Sequence, residues 1–181
     1  VDIEHLFKNK EGLLVLSGGN NSILKYSNGN NITSQSVSFI ADFKKEFIDN
    51  FYIEIQRIEG NDYRIDEEVI LNLAYDNNIP VVATNDVYFE GPDHFEAHDA
   101  LMCIEKKLFV SQKDRKRLSK NHYFKSQNEM QELFSDIPEA LFNTIEIAQR
   151  CSHRPKIKMP VLPSYHNDCL LYTSDAADER L

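Results

Sequence analysis

The chain has 181 residues, 41% of them apolar, and a formal net charge of −9, which gives one domain, or one domain with an extension, and excludes global disorder. The acidic balance argues against the chain by itself being a nucleic-acid clamp, because phosphate binding needs clustered Lys and Arg. Cys103, Cys151 and Cys169 are far apart and form no Cys-x-x-Cys pair, and no apolar run approaches a membrane span, so the expectation is a cytoplasmic protein without disulfides, zinc knuckle or membrane partner.

Val1 to Phe7 reads as the end of a helix or a connector, so the chain opens in mid-element and is expected to be a piece of something longer. After the polar turn Lys8 to Gly12, Leu13-Leu14-Val15-Leu16 is a short apolar strand ending on Ser17-Gly18-Gly19-Asn20. The two glycines there fit a plain strand-to-helix turn or a close backbone approach to a ligand. They do not make a phosphate loop, which needs Lys and Ser or Thr. Ser27 to Thr33 reads as a surface loop, and Ser34 or Ser36 as a helix cap. Phe39, Phe43 and Phe47, with Ile40, fall at helical spacing and predict one buried stripe.

Phe51 to Gln56 alternates as a strand, with Glu54 and Gln56 sharing one face. That face is either wet and functional inside a barrel or solvated on an edge. Gly60-Asn61-Asp62 turns the chain, and Asp66 caps a helix whose first turn carries Glu67 and Glu68. Asn77-Asn78 ends it. Ile79 to Ala83 then runs without alternation, as a strand covered on both faces does, and ends on Thr84-Asn85-Asp86. In α/β folds chemistry collects at that end of a strand.

Gly91-Pro92-Asp93 starts a helix holding His94, His98 and Asp99. Lys113 to Lys120 is a basic run, read as a solvated loop or, more sharply, as a phosphate-contacting loop. Ser126 to Glu129 is a capping box, and Asp136 with Pro138 starts a last helix. Residues 1–154 thus form the domain, and the proline-punctuated 155–165 an extended linker. From His166 the pattern breaks: residues 166–181 resemble a translated sequencing-adapter read-through, are taken as a non-native tail, and leave Cys169 without a role.

Ile79 to Asp86 resembles a motif of the PHP (polymerase and histidinol phosphatase) domain in the alpha subunits of bacterial DNA polymerase III. Glu11 to Gly19, Phe51 to Ile55, Ala97 to Leu101 and Glu129 to Cys151 match in the same order. Spread from Glu11 to Cys151, they cover roughly the whole chain up to Tyr165, and agreement over several ordered segments is more specific than any single motif. The resemblance implies an α/β fold: part of a distorted, TIM-like (β/α) barrel of parallel strands, lacking its N-terminal strands. Such a piece, cut from its barrel, is expected to aggregate through open edges. The His-x-His motif that opens the domain and the polymerase palm carboxylates would lie elsewhere in the parent, so no catalytic residue is assigned in this chain.

A PHP metal site packs His, Asp, Glu and sometimes Cys around several divalent ions near a phosphate. The family's late motif is Asp-x-His. Asp86 occupies its first position, but Tyr88 stands where the His would be, and a phenol with a pKa of ~10 is a poor ligand at neutral pH. A further ligand position falls at Gly19 or Asn20. The expectation is a degenerate site in which Asp86 is vestigial. His98 is a further metal candidate, paired with His94 at i, i+4, but Glu96 stands two residues after the first His and breaks the His-Glu-x-x-His pattern.

The resemblance implies a fragment of a replicative, DNA-directed DNA polymerase (a nucleotidyltransferase) that uses Mg2+. The implied partners are the other holoenzyme subunits and DNA, reached through the parent protein. The fragment itself would be a non-catalytic scaffold docking the proofreading exonuclease (epsilon) subunit, with at most a vestigial Zn2+ or Mn2+ site. The alternatives are a metal-dependent PHP phosphoesterase or a 3′–5′ exonuclease.

Overall fold

A computed structural model describes residues 2–19, 34–58, 67–115 and 117–160. The predicted loop at 27–33, the turn at 60–62, the Asp66 cap and the tail at 166–181 lie outside the described residues. Helix α1 (Ile3–Lys8) leads to strand β1 (Val15–Leu16), helix α2 (Ser34–Phe47), β2 (Phe51–Gln56), α3 (Glu67–Asp76) and β3 (Val81–Thr84). Helices α4 (Phe95–Lys106), α5 (Gln127–Leu133) and α6 (Pro138–Arg150) follow. The strands pair in parallel in the order β1-β2-β3, with Val15 opposite Phe51 and Ile53 opposite Val81. A parallel neighbour needs a crossover, and α2 and α3 lie in the chain between the paired strands. The described fold is therefore mixed α/β with an open three-stranded parallel sheet.

Alternation decides the two faces of the sheet. Phe51, Ile53 and Ile55 of β2, with Val81 and Ala83 of β3, face a core built with Ile40, Phe43 and Phe47 of α2 and Ala74 of α3. Phe134, Ile137 and Ala140, around the α5–α6 junction, complete it. The predicted phenylalanine stripe is thus core: Phe43 stacks on Phe47 with ring centroids 5.9 Å apart, and Phe39 is half-buried against the cluster. Val81, Val82 and Ala83 are all buried, as their unbroken apolar run predicts.

Helix α3 carries Glu67 and Glu68 in its first turn and is followed by Asn78 in the left-handed region at φ 49°. Lys107 plays the same part after α4, at φ 55°, with its N–H shared between the Cys103 and Ile104 carbonyls. Ser36 is not a cap: it lies inside α2 and is buried. Asp136 does not cap α6 either. Ile137 holds the N-cap position without a side-chain bond, and the Asp136 carboxylate goes to Arg57. Helix α6 guards the free edge of β3, where Asn143 Nδ2 donates to the Val81 carbonyl at 2.7 Å.

The chain divides into Val1–Cys151 and Ser152–Leu181. In the second unit the described residues 152–160 form no helix or strand and are exposed. Among the described residues no helix is long and apolar enough to cross a membrane.

Candidate functional site

Parallel strands bring their carboxyl ends to one rim, so the residues after β1, β2 and β3 meet there. Ser17, just past β1, is buried; its N–H donates to Tyr52 O at 2.9 Å, and its Oγ accepts from the Glu54 N–H at 3.0 Å. The polar face of β2 lies beside it. Gln56 Nε2 donates to Glu54 Oε1 at 3.0 Å and to Thr84 Oγ1 at 3.1 Å, and the Thr84 hydroxyl donates to the same Glu54 oxygen. Glu54 and Gln56 are thus neither bare nor in the core. They are half-buried members of a network that laces β2 to β3.

Gly19 belongs to the same rim. A Cβ built on it would overlap the Gln56 side chain. What lies against Gly19 is the protein's own glutamine, a close approach within the chain that neither the plain-turn nor the ligand reading of this glycine pair foresaw.

Asp86 follows β3 and is half-exposed. Its Oδ2 lies 3.9 Å from Nε2 of His122, whose side chain is buried. The Ser119 N–H lies 3.2 Å from His122 Nδ1, and the Ser119 carbonyl and hydroxyl oxygens lie 3.1 Å from the same nitrogen, which fixes the ring with Nε2 toward Asp86. Tyr88, 46% exposed, stands edge-on to both His98 and His122, each at 5.7 Å between ring centroids. This corner is held by the pairing of residues 88–89 with 122–124: Tyr88 N–H donates to His122 O at 2.9 Å and Phe124 N–H to Phe89 O at 3.0 Å. Asn85 Nδ2 adds a bond to Tyr123 O at 2.6 Å.

The two histidines of α4 have different surroundings. His94 is exposed, with Nε2 3.9 Å from Asp93 Oδ2. His98 is half-buried between Tyr88 and Phe89, its ring 5.5 Å from the latter. Among the described residues no group of three or more His, Cys, Asp or Glu is placed to hold a metal ion. Gly19, Asp86, Tyr88 and His98 do share the carboxyl-end region, with Tyr88 as the link between the Asp86 corner and α4.

Beyond Tyr88 lies a cleft of about 150 Å3 between α4 and residues 117–118. Its base is Asp99, only 4% exposed, gripped by both terminal nitrogens of Arg115, with Nη2 at 2.5 Å from Oδ2. Arg117 Nη2 adds a contact to Oδ2 at 3.1 Å. Arg115 above all, helped by Arg117, holds the Asp99 carboxyl down at about 2. The basic run is therefore not merely solvated: Arg115 is structural and Arg117 lines the cleft, while Lys116 lies outside the described residues. Sequence reasoning missed His122 and Arg115. Neither sits in a motif, and their partners Asp86 and Asp99 are 36 and 16 positions away.

No family model matches the chain. Curated relatives do. The chain is 40% identical over 158 residues to the DNA polymerase III subunit alpha of Caulobacter vibrioides, covering 87% of the chain. It is 35% identical over 165 residues to that of Rickettsia bellii and 37% over 169 residues to that of Pasteurella multocida, each covering 91% of the chain. In all three the matched stretch is 14% of the relative's own length. Agreement of this depth along nearly all of the chain places it, as a segment of about one seventh of their length, in the family of DNA polymerase III alpha subunits.

Proposed function

We propose that this chain is a non-catalytic scaffold segment of a replicative DNA-directed DNA polymerase. In this reading it is the later part of a PHP-type barrel with a degenerate metal site, and it docks the proofreading exonuclease. The parent would carry DNA-templated synthesis with Mg2+ at residues outside this segment, and would reach DNA and the other holoenzyme subunits through them. The identity to curated alpha subunits supports the parent's activity. Three parallel strands, a helix-covered outer face and an inner face turning polar toward the carboxyl rim support the barrel.

The observation that carries the degenerate site is the Gln56 amide. It lies where a side chain at position 19 would project, and it gives its N–H groups to Glu54 and Thr84. A cation site needs converging acceptors with room between them; here the Gln56 side chain occupies the space with Cδ and Oε1, and its Nε2 ties up a Glu54 carboxylate oxygen. Asp86 and His122 are the one acid–imidazole pair at this rim among the described residues, and they keep a metal-dependent phosphoesterase or exonuclease as the competing reading.

The test uses the full-length alpha subunit. Metal analysis after dialysis against Zn2+ and Mn2+, with Asp86→Asn as comparison, is expected to give no ion that depends on Asp86. Co-purification of the exonuclease subunit is expected to survive that substitution. A stoichiometric ion lost with Asp86→Asn would overturn the degenerate site; loss of exonuclease binding on deleting the polymerase core, with this segment intact, would overturn the scaffold role.

A further inference from the structure

The cleft beyond Tyr88 has walls of two kinds. Phe95, Met102 and Leu118 are apolar, and the remaining lining carries an excess of hydrogen-bond donors. Lys106 makes no ion pair or hydrogen bond with any described residue. Arg117 spends only Nη2, on Asp99 at 3.1 Å and Glu96 at 3.4 Å, which leaves Nε and Nη1 without an acceptor among the described residues. Its guanidinium is held in place by the Phe95 ring, 5.1 Å from the centroid, and Lys120 lies over the same ring at 6.0 Å. The Tyr88 hydroxyl has no acceptor among the described residues either. The one carboxylate in the lining, Asp99, is already satisfied by Arg115 and Arg117.

Donors without acceptors on several sides of a small, net positive space select a compact anion rich in acceptor oxygens. A planar carboxylate offers two oxygens and can meet only one fork. A phosphate offers oxygens in three directions, and a cleft of about 150 Å3 admits that group but not a whole nucleotide. We propose that Lys106, Arg117 and Tyr88 form a metal-independent site for a phosphate group, with the remainder of any larger ligand lying outside against the exposed Tyr88 ring. Arg117 supplies separate Nε–H and Nη1–H donors that point in different directions, and Lys106 a mobile point charge. The site shares Tyr88 with the Asp86 motif but uses no residue of the Gly19–Gln56 network, and binding measured in EDTA separates it from the metal question.

The shared chemistry is a phosphate monoester, whether free phosphate, a nucleoside monophosphate or the 5′ end of a nucleic-acid strand. Microscale thermophoresis on the full chain at low micromolar concentration, with EDTA present to exclude metals, tests it. The probes are inorganic phosphate, a deoxynucleoside monophosphate, a 5′-phosphorylated oligonucleotide, its unphosphorylated twin, and acetate. Saturable binding of the phosphorylated probes is expected, weakened roughly tenfold or more in Lys106→Gln and in Arg117→Gln.

The Lys106 side chain makes no hydrogen bond or ion pair with a described residue and only complements the last turn of α4, so Lys106→Gln is expected to keep the fold, and melting curves check both substitutions. Equal affinity for all three phosphorylated probes identifies the bare group as the ligand; a rise toward the monophosphate or the oligonucleotide identifies the larger source. No saturation by any phosphorylated probe, acetate binding as tightly as phosphate, or indifference to both substitutions would overturn the site.

Discussion

Arg57, just past β2, is where the most distant segments converge. It donates to both oxygens of Glu67 at the start of α3, to both of Asp136 before α6, and to the Leu133 carbonyl that ends α5. Its guanidinium also lies 4.9 Å from the centroid of the buried Phe134 ring. Asp136 first, then Glu67, hold it firmly in the charged form, and Arg57 in turn lowers the Asp136 carboxyl. Arg57→Met is expected to cost about 2 kcal/mol in urea unfolding, below the fully buried case because Asp136 is largely open to solvent. Lysine will not restore it, since one ammonium cannot reach two carboxylates and a carbonyl in plane.

The acid branch of stability follows from the same kind of contact. Asp99, held at about 2, and Asp136, also lowered, each start from an ordinary value of 3.8. A depressed carboxyl contributes stability in full above its unfolded value and loses it as pH falls through the folded one. Melting temperature should therefore fall as pH drops from about 4 toward about 2, and Asp99→Asn should flatten that fall while lowering the plateau. None of this was legible in the sequence. Arg57 lies 10 positions from Glu67 and 79 from Asp136, a spacing with no local signature. The glycines at 18 and 19 were visible, but the glutamine that fills the space over Gly19 is on another strand.

At the level of elements, local periodicity and capping chemistry were readable and docking was not. The α2 stripe showed itself because one buried face repeats every 3.6 residues. Helix α5 showed itself because Ser126 and Glu129 complete a reciprocal box: Ser126 Oγ accepts from Glu129 N–H at 3.3 Å and Glu129 Oε2 accepts from Ser126 N–H at 2.8 Å. Ser126→Ala is expected to cost about 1 kcal/mol in chemical denaturation. Where α6 docks was hidden, because it depends on Asn143 meeting one carbonyl of β3. Asn143→Leu keeps the bulk but leaves the Val81 carbonyl without that donor, and should cost about 1–3 kcal/mol in chemical denaturation. The contrast with Asp136 is instructive. An acidic residue before Pro138 looks like a helix cap, but a long-range bond to Arg57 outweighed the local one.

Taken whole, the sheet is unequally protected. Asn143 and α6 close the outer side of β3. On the outer side of β1 no strand is paired among the described residues, and the Leu13 side chain beside it is 40% exposed. An unpaired strand edge with apolar flanks is a template for a second chain, and natural edges are blunted with charge, above all lysine. Helix α4 adds Leu101 and Ile104, 61% and 75% exposed, but a helix face lacks the open backbone groups that make edge pairing self-propagating. The edge is therefore expected to govern association of the isolated chain. Sedimentation velocity should show monomer at low micromolar concentration and growing oligomers as concentration rises to roughly 100 µM. Leu13→Lys should suppress them without lowering the melting temperature, whereas Ile104→Lys should leave them nearly intact. If the α4 substitution alone restores the monomer, the helix face and not the β1 edge is the adhesive surface, and the strand-pairing account is wrong.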